Sequence, residues 1–329
     1  MPHDTEARLS ATLQGIVGDR PYAPDLDQIE SRGRKLRHRR MAWRATAGTG
    51  FAAAVAAVAV LTTGTQAPAP NLAAPNSAAA SSATAENAPL MNLVGYLTTA
   101  PRPEGDATLV LRNQVYTDGL KVAVWDVFAD NGDLYFAKTR GALPASVKGK
   151  PAGDGDSEAG RKKAVAAAEY AAKGDLNEAR KRMALAYVKD PKTAPTLQAP
   201  GVKPSGPAID EKLKATGQDA STVGNLTDNW VWGSSVDALK AGAGSPTVRA
   251  GVLRLLGQMP EVKVEQGTID GQPVLTLAAG ALISGGGTDS LTINAETGLP
   301  IKYVSESVGV TVNYTVTRVT LADVAAGRF

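Results

Sequence analysis

Cysteine is absent from the 329 residues, and both histidines, His3 and His38, fall within the first 44. No disulfide, thiol nucleophile, thiolate metal site or lipid-modified cysteine anchor can therefore form. Beyond residue 44 the chain also lacks the imidazole that a Ser-His-Asp triad or a histidine-ligated zinc hydrolase needs. No S-x-x-K pair, phosphate-binding P-loop or G-x-G-x-x-G after a strand is present. Aromatics supply only 5% of the residues, so alanine and valine must do much of the packing. Net charge is missing from most of the chain as well. Residues 1–44 hold nine Lys/Arg against six Asp/Glu, whereas residues 45–329 hold twenty-six of each. No strong field draws the larger part towards nucleic acid.

Charge of either sign is missing altogether from Ala45 to Ala85, and the most apolar stretch of that segment runs from Ala45 to Thr63. Crossing a hydrocarbon core takes about 20 residues, and this run meets that length. Immediately before it stand Arg32, Arg34, Lys35, Arg37, Arg39, Arg40 and Arg44, with no acid after Glu30. Such an asymmetry holds the N-terminus in the cytoplasm, with anionic headgroups adding attraction. A buried alanine-rich helix would not need the cationic block. A cleaved secretory signal usually follows a much shorter charged region, although small residues do occur around Thr65–Ala69, and Arg39-Arg40 fits a twin-arginine pattern poorly. The reading is an uncleaved signal anchor. It divides the chain into a basic cytoplasmic tail (1–44), a transmembrane helix (45–64), a flexible Ala/Pro/Ser linker (65–89) and an extracytoplasmic domain (90–329). Within the tail, Leu9, Leu13 and Ile16 have the spacing of a short amphipathic helix.

The outer part reads as α+β. Strand signals at Thr108–Arg112, Lys121–Ala129 and Leu134–Ala137 flank Asn131-Gly132, which predicts a tight antiparallel hairpin. Residues 157–190 read as two helices broken at Gly174, the second capped by Asp175 and Glu178 and ended by Pro191. Ala167, Tyr170, Gly174, Ala179, Met183, Ala186 and Pro191 match the spacing of one tetratricopeptide repeat. Without a second copy, the reading is a helical hairpin packed on the sheet. A surface excursion is expected over 191–224. Asn229–Trp232 then reads as extended, with both indoles on one face. Ser245-Pro246 opens a helix running to Pro260. Alternating strands follow, turning at Asp270-Gly271 and Asn294–Gly298 and ending on Val310–Val316. The expectation is an antiparallel sheet with one buried and one wet face, a helical hairpin and one packed helix.

Few patterns bear on chemistry. Gly153–Glu158 resembles a fragment of a calcium loop but lacks its distal glutamate, so a solvated loop and helix cap explain it better. Gly285–Gly287 reads as a hairpin turn. Trp230 and Trp232 are the candidates for lining a ligand groove, the alternative being that one anchors the core. No catalytic, cofactor-binding or metal residue is nominated, and no cofactor is expected.

Asn229–Leu256, Pro101–Leu111 and Arg318–Phe329 resemble a family of uncharacterised actinobacterial single-pass membrane-anchored proteins. The likeness extends over most of residues 90–329. Members are commonly encoded beside extracytoplasmic-function sigma factors, so the resemblance implies a sensing or regulatory envelope role. It implies no activity and no functional residues. The turn-then-strand pattern is also similar to the half-barrel of lipoprotein carriers and their sensor relatives. The expectation is a non-enzymatic envelope protein whose tail (1–44) contacts a sigma factor or another regulator. The alternative is a module binding lipid or cell-wall material at the outer face of the membrane.

Overall fold

The computed structural model describes residues 87–152, 155–190, 196–205, 224–284 and 287–329. Residues 1–44, expected as a cytoplasmic tail and including the seven cations Arg32 to Arg44, the run 45–64 expected as a transmembrane helix, and nearly all of the expected linker lie outside these residues. Among the described residues no helix is long and apolar enough to cross a membrane.

Helix α1 (Ala88–Thr99) opens the fold, with proline in its first turn. Its Leu90, Leu93, Val94 and Leu97 are buried on one face, at the spacing of successive helical turns. Strands β1 (Ala107–Tyr116), β2 (Lys121–Ala129) and β3 (Leu134–Ala137) follow as an antiparallel meander. The expected hairpin at Asn131-Gly132 is there. Its loop has three residues between Ala129 and Asp133, and glycine supplies the positive φ of 89°. A short 3₁₀ turn (Arg140–Ala142) leads into α2 (Leu143–Lys148).

Next come α3 (Asp156–Lys173) and α4 (Leu176–Ala184), broken at Gly174 as expected. Asp175 caps α4 by accepting from the Glu178 N–H at 2.8 Å. The helix stops at Ala184, seven residues before Pro191 in the sequence, so proline is not what ends it. Helices α5 (Leu226–Ala241) and α6 (Pro246–Leu256) complete the layer, with Asn225 and Ser245 as N-caps. Helix α6 ends before Gly257 rather than at Pro260.

Strands β4 (Val262–Ile269) and β5 (Gln272–Ala279) join through Asp270-Gly271, both at positive φ, the two-residue turn that suits the strand twist. A four-residue helix α7 (Ala281–Ser284) separates β5 from β6 (Asp289–Asn294), so Gly285–Gly287 belongs to a longer connection than a hairpin turn. Strands β7 (Pro300–Ser305) and β8 (Val310–Val319) and helix α8 (Leu321–Ala325) close the chain.

The eight strands form one open antiparallel sheet in the order β3-β2-β1-β8-β7-β6-β5-β4. The β8–β1 pair joins the two meanders, from Ala107↔Val319 to Tyr116↔Val310. The fold is therefore α+β, as the alternation implied. Its helical layer is richer than a hairpin and one helix, since α1 and α5 also pack in it.

Two cores lie on opposite faces of the sheet. The larger combines α1, α3, α4, α5 and α6 with Leu275, Leu277, Leu291 and Ile293. The smaller joins Leu109, Val127 and Tyr135 to Leu143 of α2 and Val324 of α8. Following the register from Leu109 across the sheet, that second face becomes Thr317, Asn313, Lys302, Thr292, Thr276 and Glu265. One face carries the main helical layer and the other is covered only at the β1–β3 end.

Alanine sets the distance between helices. Ala164, Ala167, Ala168, Ala171 and Ala172 of α3 are buried, and Gly251 of α6 comes so near that a Cβ there would sit 1.7 Å from the Ala168 carbonyl oxygen. Two arginines of α6 serve neighbouring helix ends. Arg254 donates to the carbonyls of Ala171 at 2.8 Å and Gly174 at 3.2 Å, at the end of α3. Arg249, buried and lowered to about 10 by desolvation, donates to Ala243 just past α5. Carbonyls left without helical partners, and the negative end of each helix dipole, account for both arginines.

Candidate functional site

The two tryptophans do not line a common groove. Asn229–Trp232 lies within α5, where residues two apart point to different sides. Aromatic and β-branched residues favour strands. Here the cap from Asn225, accepting from Asp228 N–H at 3.0 Å, and burial against the sheet prevail. Trp230 is half-buried at the edge of the large core, whereas Trp232 is 2% exposed.

Beneath Trp232 is a buried polar seam. The Tyr303 hydroxyl donates to Asp289 at 2.7 Å, the Trp232 indole lies against the same phenol, and Ser305 is 1% exposed beside them. Burial pushes the Tyr303 phenol above its ordinary value, and the neighbouring Asp289 charge pushes it further. At neutral pH the phenol is a fixed neutral donor. The second Asp289 oxygen, the Trp232 N–H and Ser235 Oγ have no hydrogen-bond partner among the described residues. The Tyr303–Asp289 bond ties β7 to β6, and Trp232 of α5 packs against it.

A second polar cluster pins α4 to α5. Arg180 and Asp228, both almost fully buried, form an ion pair at 2.8 Å. Burial lowers the Arg180 pKa, against the opposing pull of Asp228. Arg180 also donates to the Gln198 carbonyl at 2.9 Å, and the Gly201 N–H donates to Asp228 at 2.9 Å. The Gln198 N–H donates to Thr227 Oγ1 at 2.9 Å, and Asn225 Nδ2 donates to the Ala199 carbonyl at 2.6 Å. Segment 196–201 is held on the start of α5 by these bonds.

A groove of about 370 Å³ lies between α3 and α4. It is lined by Ala166, Ala167, Ala186, Leu185 and Val188 and by the exposed cations Lys163, Lys181 and Arg182, with Glu178 the only acid in the lining. The cleft is open because three alanines leave the space between the helices unfilled. Arg182 is already engaged, bonded to Glu178 at 3.0 Å and stacked 4.1 Å from the Tyr170 ring centroid. Lys163 and Lys181 are exposed and form no ion pair among the described residues.

In the sequence Ala167 and Ala186 stand out only by their repeat-like spacing. The signal that pointed further was small residues facing one another across a helical hairpin, with lysines one turn away. Among the described residues no three His, Cys, Asp or Glu side chains come together as metal ligands would. Residues 153–154 of the acidic loop lie outside the described residues. No family model matches the chain, and neither a curated protein nor a solved structure does.

Proposed function

We propose that this chain is a non-enzymatic, single-pass envelope protein, anchored in the cytoplasmic membrane by residues 45–64. Residues 1–44 lie inside, and the α+β domain lies outside as a sensing or binding module. The observation that carries this reading is the charge step at Arg44: seven cations in the thirteen residues ending there, then none of either sign until Glu86. The cations resist translocation while the Ala/Val-rich run partitions into hydrocarbon. The regulatory side of the proposal rests on the resemblance to proteins encoded beside extracytoplasmic-function sigma factors, with the tail as the contact. A half-barrel curvature like that of lipoprotein carriers belongs to the same proposal.

The experiment is fractionation of cells expressing the full chain, with an alkaline wash of the membranes. The full chain is expected to stay in the washed membranes, and a variant lacking 45–64 to appear in the soluble fraction. Release of the intact chain by the wash overturns the anchor. Affinity purification with residues 1–44 as bait then tests the regulator, with a sigma factor as the expected partner.

A further inference from the structure

The groove between α3 and α4 has both an apolar lining and cationic side chains. Its apolar lining is Ala166, Ala167, Ala186, Leu185 and Val188, and Lys163, Lys181 and Arg182 supply cations to it. Glu178 neutralises Arg182, so the charge left over belongs to the two exposed ammonium groups of Lys163 and Lys181. The volume, about 370 Å³, lies in the range of small-molecule sites. Helix α4 has nine residues and is therefore only about 13 Å long, too short to seat several turns of a partner helix. The wanted occupant is compact, apolar along one end and negative at the other.

The geometry points to the α3–α4 groove as a binding site for a single-chain amphiphile with an anionic head. The acyl chain lies over Ala166, Ala167 and Ala186, and its carboxylate is held by Lys163 and Lys181. This deepens the binding half of the proposed function and rests on it. It also moves that binding away from Trp230 and Trp232.

The full chain, reconstituted in phosphatidylcholine nanodiscs, is photolabelled with a diazirine analogue of dodecanoic acid, and the adducts are mapped by mass spectrometry. Adducts are expected within residues 163–188, and the matching dodecylamine analogue should label this segment far less. Lys163→Glu with Lys181→Glu should lower labelling of the segment roughly tenfold. Ala166→Trp, at an exposed position, should fill the groove and remove labelling, with the thermal midpoint confirming that each variant is folded. If Ala166→Trp does not fold, the lysine pair decides. Equal labelling by the acid and the amine, or adducts confined to the apolar run 45–64, overturns the site while leaving the membrane topology intact.

Discussion

At the scale of single residues, buried polar groups hold helices together. Arg180 and Asp228 are the clearest case, because each is buried almost completely and each supports the placement of segment 196–201. Removing one member of such a pair leaves an uncompensated charge in the interior, while replacing both removes the desolvation penalty as well. Asp228→Ala is therefore expected to destabilise the domain by about 3–5 kcal/mol in urea unfolding, and Arg180→Met with Asp228→Leu by much less. A loss below about 1 kcal/mol for the single substitution would show that the pair is not buried in solution. None of this was legible in the sequence, where Arg180 and Asp228 are two charges among fifty-two beyond residue 44. Trp232 was visible as an anchor of either a groove or the core, and its 2% exposure settles it as core.

At the scale of elements, local chemistry was legible wherever it is decided locally. Asn131-Gly132, Asp270-Gly271, Asp175 and Ser245 each produce the turn or cap that their side chains favour. Asn294 does the same, its carboxamide oxygen accepting from the N–H of Glu296 at 2.9 Å and Thr297 at 2.8 Å. What failed was decided by packing. The Trp-Val-Trp run reads as a strand by propensity, yet it forms part of α5 because Asn225 caps it and the large core needs its apolar face. Helix α1 has Leu90, Leu93, Val94 and Leu97 at helical spacing, but it follows the Ala/Pro/Ser-rich stretch directly, with no side-chain cap to mark its start.

The close crossing of α3 and α6 carries a prediction of its own. Gly251→Ala adds a single methyl group, but it meets the Ala168 carbonyl rather than a movable side chain. Overpacking of this kind costs about 1–3 kcal/mol or more, so the thermal midpoint should fall markedly. The equivalent change at Gly95, where nothing lies within 4 Å of an added Cβ, should leave it unchanged or raise it. Equal effects at the two positions would mean that the helices do not approach each other this closely.

At the scale of the whole molecule, the sequence distributes its features unevenly, and that distribution is the basis of the functional reading. All histidine and all excess charge lie in the first 44 residues, the next 41 carry no charge, and the remainder is neutral and builds a helix-covered open sheet. The α+β class and the antiparallel sheet followed from alternation in the last seventy residues. The order that places β8 beside β1 did not, because that pairing is between the two ends of the domain.

The absence of cysteine makes the sidedness directly measurable, since one introduced thiol is the only one in the chain. Ser10→Cys lies in the tail, and Asp118→Cys lies in the exposed turn between β1 and β2. A membrane-impermeant maleimide applied to intact cells should label the thiol at 118 and should reach the one at 10 only after lysis. Labelling at position 10 in intact cells, or protection of position 118 until lysis, would contradict the orientation on which the account stands.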